Sequence, residues 1–383
     1  MGRAEQGGLL ENEVSSAPEP DRGAIAFAEK LLTVLDEGRK TATYKCAVLI
    51  GLMDLCLERS STTGAPPRSI PTCSLAEKVI ELYWSHVREF PGTSPAVLKQ
   101  NSGRRQTEIL QAIERFVTRV VGSPAVTLAR ARREALDGYE KLVRDVEWKL
   151  AEMPLPKLQR VGCVATEFLY RIAWDDGVTR REFTAPGCDR SIHFVGEAGD
   201  HLVRLSGLLR PVIQREWARL VAHFNRETVP EAQLEKFLFG IDRASTAAIR
   251  GDLEELQTGR CFYCDSRLSD AFEVDHFIPW SRHPDNGLDN LVAADRGCNA
   301  AKSDHLASAD HVARWLERTA IHKADLGAIS ERNQWERQPD RTVSAARSIY
   351  LRLPSDAMLW SSPRSFVPLN RPQLVRVLSV SAP

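Results

Sequence analysis

The chain has 383 residues, 43% of them hydrophobic and 27% charged, enough for two or three domains with sizeable cores. Lys plus Arg and Asp plus Glu each total 51, so no polyanionic or membrane-surface partner follows from overall charge, and any such partner must be read from local patches. The sequence lacks a run of eighteen apolar residues and an apolar leader near its start, which argues against a membrane-spanning helix and a secretory signal; the expectation is a cytoplasmic, reducing environment.

Residues 1–22 are rich in Gly, Glu, Ser and Pro and read as a disordered tail. Residues 23–152 read as a helical domain. GAIAFAEKLLTVLDEG and TATYKCAVLIGLMDLCLERS repeat apolar residues at three and four, SLAEKVIELYWSHVREF resumes after a Pro-rich loop with Ser74 as N-cap, and two further helices fall near 105–120 and 124–152. Residues 153–244 form a mixed connecting region, with strands in TEFLYRIAW and RSIHFVG, an amphipathic helix at about 200–225, and a shorter helix in EAQLEKFLFG. Another helix, TAAIRGDLEELQTG, opens the segment 245–320. Residues 321–383 read as a helical extension containing TVSAARSIYLRL and a Pro-interrupted tail. The fold class is α+β, mostly helical.

Most of the eight cysteines sit singly in apolar surroundings, where a buried thiol is expected, and only Cys261 and Cys264 form a spaced pair. In a reducing compartment a C-x-x-C pair points to metal or redox chemistry before a disulfide. It opens CFYCDSRLSDAFEVDHFIPWSRHPDNGLDNLVAADRGCNAAKSDHL, in which a strand-like FEVDHFIPW, a turn-rich loop and LDNLV lead into a helix carrying Asp295, Cys298, Asn299 and Lys302. Asn290 lies fourteen residues after His276, Asn299 nine further on, and Lys302 three after that.

These residues and spacings resemble the ββα-metal module of the HNH endonucleases, over roughly residues 255–310. The resemblance implies a C-terminal HNH nuclease domain at 245–320 that hydrolyses phosphodiester bonds in DNA, with His276 activating water, Asp275 and Asn299 holding a magnesium or manganese ion, and a product with a 5′-phosphate. It gives Asn290 the task of tying down the loop and orienting the base. Lys302, on the helical face of Asn299, would contact a phosphate. The chemistry agrees: a histidine titrating near neutrality suits a base, and hard oxygen donors suit a hard cation.

Members of the family with a C-x-x-C knuckle commonly close a structural zinc site with a second such pair. Here the second pair reads Asp295-Arg296-Gly297-Cys298, so the expected ligands are Cys261, Cys264, Asp295 and Cys298, with His283 and His305 as competitors for the fourth place. The alternative is a decayed site whose cysteines pack as small hydrophobes.

Lys99, Arg104 and Arg105, and Arg130, Arg132 and Arg133, are the densest basic clusters of the helical domain. They are candidates for nucleic-acid contact, or else solvated helix charges paired with Glu108, Glu114 and Glu134. That domain is expected to serve recognition or assembly, in a restriction or phage-defence setting that its helices faintly resemble. One site cuts one strand, so double-strand cleavage calls for a homodimer or a partner protein. The rival readings are a non-catalytic, zinc-stabilised nucleic-acid-binding or scaffold protein, and a nuclease acting on RNA.

Overall fold

A computed structural model of the chain describes residues 19–37, 41–91, 96–122, 126–161, 164–225, 231–240 and 246–379. The expected disordered tail lies outside these residues except for its end, where Glu19 already opens a helix; Cys163 also lies outside them.

The helical part is built around α2 (Tyr44–Glu58), in which every residue from Cys46 to Glu58 is buried. A helix buried on all sides belongs at the centre of a bundle rather than on its surface. Around it pack α3 (Thr72–Tyr83), α7 (Ala198–Arg204), α8 (Ser206–Phe224) and a C-terminal helix, α14 (Pro339–Tyr350). Gly51 allows α2 and α3 to approach, since a Cβ there would stand 2.9 Å from Leu75 Cδ1. Helices α1 (Glu19–Glu37), α4 (Glu108–Phe116), α5 (Leu128–Glu134) and α6 (Leu136–Glu152) complete this part, the last packing on α3 and α4.

The two strands expected in the connecting region pair with each other. β1 (Ser69–Pro71), β2 (Tyr170–Arg171) and β3 (Ser191–Phe194) form one antiparallel sheet in the order β1-β3-β2. The helix expected at 200–225 is two helices, α7 and α8, which meet at Leu205. α9 (Glu231–Phe239) packs back on α8.

The C-terminal part contains α10 (Arg250–Leu256), the hairpin of β4 (Glu273–His276) and β5 (Leu291–Ala294), then α11 (Arg296–Lys302) and α12 (Ala309–Ile321). After α13 (Lys323–Asn333) and α14, the segment expected to be a helical extension also contains a hairpin, β6 (Met358–Ser362) and β7 (Ser365–Pro368), before α15 (Arg371–Leu378). The hairpin buries Trp360, whose backbone exchanges hydrogen bonds with Leu306 and Ser308 and whose ring lies 5.2 Å from that of Tyr263. The C-terminal residues thus floor the nuclease-like module.

One hydrophobic core runs from Phe27 through Phe277 and Trp315 to Leu378, so the two parts are fused rather than tethered. A smaller cluster gathers Leu253, Phe272, Leu291 and Ile329 beneath α10 and β5. A buried ionic seam crosses the junction. Arg341 of α14 reaches Glu58 (3.0 Å) and Glu81 (2.8 Å), Lys78 bonds both carboxylates at 2.7 Å, Arg210 bonds Asp54, and Thr342 donates to Asp285 at 2.8 Å. His283 enters this seam, with Nε2 3.5 Å from Glu58 and Nδ1 3.9 Å from Asp54. Asp54, Glu58 and His283 are close enough to share an ion, but Lys78, Arg210 and Arg341 already neutralise the carboxylates; the cluster works as a salt-bridge network.

Candidate active site

β4 and β5 pair antiparallel with Asp275 opposite Val292 and His276 opposite Leu291, and Asp295 begins α11 immediately after β5. The hairpin and helix border a groove of about 490 Å³ lined by Glu273, Asp275, His276, Trp280, Asn299 and Arg250. Strand alternation sends Asp275 and His276 to different partners. Asp275 Oδ2 accepts hydrogen bonds from Tyr263 Oη (2.5 Å) and Lys302 Nζ (2.9 Å) beneath the strand, whereas His276 Nε2 lies 2.7 Å from Asn286 Oδ1.

The Asn286 contact defines the tautomer. An amide oxygen only accepts, so Nε2 carries the hydrogen and Nδ1 remains the basic nitrogen. Burial pulls the His276 ring below its usual pKa, against the Asn286 hydrogen bond and the charge of Asp275, which act upward. The ring is therefore neutral at physiological pH, the form a general base requires. Trp280 packs edge-on to it at 5.2 Å.

Asn290 is fully buried. It accepts from Ile278 N–H (2.8 Å) and donates to Ile278 O (3.2 Å) and Asp285 O (3.0 Å), closing the loop that carries Asn286. Asn299 lies on the groove and donates to Glu273 Oε2 at 2.6 Å. Glu273, two residues before Asp275 on the same strand face, was legible from strand period alone but escaped the motif. Asn286 had no comparable signal in HPDNG, since only the folded loop brings it to the histidine.

Lys302 corrects an expectation. Its side chain is 0% exposed, with Nζ committed to Asp275 and, at 2.8 Å, to the carbonyl of His276, so it supports the strand from below and does not face a phosphate. Position i+3 is some 60° away from the starting residue on a helix, enough to turn the lysine from the groove into the core.

The cysteine cluster is partly as expected. The Sγ atoms of Cys261, Cys264 and Cys298 lie within 4.8 Å of one another. Two sulfurs on one tetrahedral zinc, bonded at about 2.3 Å, stand about 3.8 Å apart, so the three thiols suit such an ion. The Asp295 amide donates to Cys261 Sγ at 3.2 Å and holds that sulfur in place. The knuckle is pinned to β5 by Phe262 N–H to Ala293 O (3.0 Å) and by Gln257, which bonds both backbone groups of Ala293 at 2.8 Å. Asp295 itself is not in the cluster. Its Oδ1 accepts from Gly297 N–H at 2.8 Å as the N-cap of α11, because an aspartate at that position satisfies a free helical amide. Neither competitor joins the sulfurs: His283 sits in the ionic seam, and His305 lies edge-on to Phe366 at 4.9 Å.

Of the basic clusters, Arg104 and Arg105 are exposed, and Arg105 lines a second groove of about 880 Å³ with Arg115, Lys149 and Arg180. Arg130 pairs with Glu134 at 2.7 Å, as the solvated-face alternative expects, and Arg132 lies over the Tyr139 ring.

A family model described as domain of unknown function DUF8808 matches residues 23–238, more than half of the chain. The chain belongs to the DUF8808 family. A second family model, described as HNH endonuclease, matches residues 260–308, the span from the cysteine knuckle through the ββα hairpin and helix. This DUF8808 protein thus carries an HNH endonuclease domain after its family-defining region. Searches of curated proteins and of solved structures give no match. Among the described residues no helix is long and apolar enough to cross a membrane.

Proposed function

We propose that this protein is a divalent-metal-dependent DNA endonuclease in which His276 is the general base. The observation that carries the reading is the Asn286 contact, which holds His276 in the Nε2–H tautomer at the edge of a groove lined by three oxygen-bearing side chains, Glu273, Asp275 and Asn299. His276 Nδ1 takes the proton from the attacking water, and Asn286 and Trp280 keep the ring in place while it does so. Lys302 and Tyr263 hold Asp275 from below. Asn290 fixes the loop and is a positioning residue.

Glu273, Asp275 and Asn299 offer the hard oxygen donors that magnesium or manganese prefers, and they would hold such an ion. When bound it supplies charge stabilisation to the phosphorus centre and the leaving oxygen. Cys261, Cys264 and Cys298 would hold zinc that braces the knuckle against β5. The exposed Arg104 and Arg105 support DNA contact by the helical part, taken as residues 23–152 and assigned recognition or assembly. Restriction or phage defence is the setting we favour.

The test is nicking of supercoiled plasmid with magnesium or manganese by wild type and His276→Ala. Activity lost in the variant, with its thermal unfolding unchanged, is expected; equal nicking by both refutes the assignment. Parallel digestion of duplex, single-stranded and modified DNA and of RNA assigns the substrate.

A further inference from the structure

The groove at His276 continues beyond its own rim. Asp304 lines both it and a larger groove of about 910 Å³, and the loop after β4 passes from one to the other, with Pro279 and Trp280 in the first and Ser281 and Arg282 in the second. Segments distant in sequence wall this second groove: the end of α7 at Arg204, the first turns of α8, and the residues that follow α14. Helical part and nuclease-like module therefore meet along it.

The rim is cationic. Arg204 and Arg282 are both exposed. Gly207 leaves room for the second of them along the start of α8, since a Cβ there would stand 3.1 Å from Arg282 Nη1. Arg352, the third arginine of the lining, is spent on Asp200 and on the Gly64 carbonyl at 2.9 Å. Among the described residues Asp304 is the single acidic side chain in the lining, and it stands at the passage between the grooves, so repulsion of an anion is confined to that point.

Between the arginines the surface is apolar. Leu208 is 71% exposed and Val212, one turn further along α8, is 46% exposed, with Pro211 and Pro354 beside them in the open. An apolar strip left bare in this way asks for an occupant. A duplex stacks its bases inside and turns phosphate outward, whereas an unpaired strand presents sugar and base faces together with its phosphates. Arginine at the edges and hydrocarbon between them match the second.

We infer that this groove holds an unpaired DNA strand to one side of the bond being cut, with phosphates on Arg204 and Arg282 and with sugars and bases against Leu208 and Pro211. The inference rests on the nuclease reading, which places the scissile bond beside His276. An acidic peptide would also satisfy the arginines; the shared Asp304 and the one loop that runs through both grooves favour the strand under attack. Such a strand comes from a single-stranded or locally opened substrate, and Trp280, at the junction, offers its ring to a base on the way.

The test is fluorescence anisotropy of the full chain, without divalent metal, with a labelled single strand and with the blunt duplex of the same sequence, over a salt series. The single strand is expected to bind about tenfold more tightly than the duplex. The double variant Arg204→Gln/Arg282→Gln should weaken strand binding about tenfold and lower its log–log salt slope by about 0.7 for each arginine removed. Leu208→Glu should weaken it to a similar degree, and Lys323→Gln, an exposed charge outside both grooves, should change nothing. Every substituted side chain is exposed, and circular dichroism melts check that the variants are folded. Absence of strand binding at low salt, duplex binding as tight as strand binding, unchanged binding by the folded double variant or by Leu208→Glu, or an equal loss in Lys323→Gln overturns the proposal. No cleavage is read and His276 is untouched, so a protein that nicks plasmid yet gives any of these results keeps its nuclease and loses this groove.

Discussion

Replacing Lys302 with methionine separates two roles for a residue that motif spacing alone would put on a phosphate. The substitution keeps the apolar stem and removes a charge that is fully buried, 2.9 Å from Asp275 and 2.8 Å from the His276 carbonyl. Asp275, itself buried, is left with only the Tyr263 hydroxyl. Breaking a buried pair by removing one partner typically costs about 3–5 kcal/mol. With an unfolding entropy of about 2.1 cal/mol/K per residue over a fused chain of 383 residues, melting should fall by about 5 °C. Circular dichroism melts of the wild type, Lys302→Met and the double variant Lys302→Met/Asp275→Asn provide the measurement, with the double variant expected to recover part of the loss because no unpaired charge remains. DNA affinity is measured in parallel as a function of salt. An unchanged melting temperature with a shallower salt dependence would falsify the buried role and restore the phosphate contact.

Other expectations follow from the same geometry. Cys298→Ser should abolish zinc binding, which metal analysis reads directly, whereas Asp295→Ala should retain the zinc and lose about 1 kcal/mol of stability as a missing helix cap. Zinc lost in both variants would bring the carboxylate back into the site. Asn286→Ala frees the His276 tautomer and should lower plasmid nicking roughly 10- to 100-fold with little change in melting; an unaffected rate would remove Asn286 from the mechanism. His86 is fully buried and desolvation pulls its pKa down to about 4, so its neutral ring stabilises the fold above the unfolded value of 6.5. On acidification the unfolded chain takes up the proton first, and stability falls between pH 6.5 and about 4, by about 3 kcal/mol in all. His86→Phe should flatten that part of the stability profile, and identical slopes for both proteins would show that the ring does not control it.

The sequence reveals the site more fully than the frame around it. His276, Asn290 and Asn299 are separated by short, fixed intervals within one local hairpin and helix, so their relation survives without knowledge of the rest of the chain. Lys302 and Asp295 went astray for a local reason: each has the correct type and spacing for an external ligand, but backbone geometry gave the aspartate a helix cap and the lysine a buried carboxylate. Asn286 depends on how a Gly- and Pro-bearing loop closes, which periodicity does not report. The β6–β7 hairpin was hidden because its pairing is a tertiary matter, secured by Trp360 against Tyr263, and the all-round burial of α2 is visible only once α14 returns from 280 residues away to cover it.

That return of α14 gives the ionic seam a meaning beyond stability. A cutter hung on a flexible linker samples every bond within reach, with a spread set by linker length. Here Arg341 and Thr342 of α14 tie the groove-bearing part to α2 and α3 through buried bonds, so the two parts share one rigid frame, like the two jaws of a calliper. On the proposed nuclease reading, with the helical part holding the substrate, fragment ends should accordingly fall at one set offset from the feature it holds.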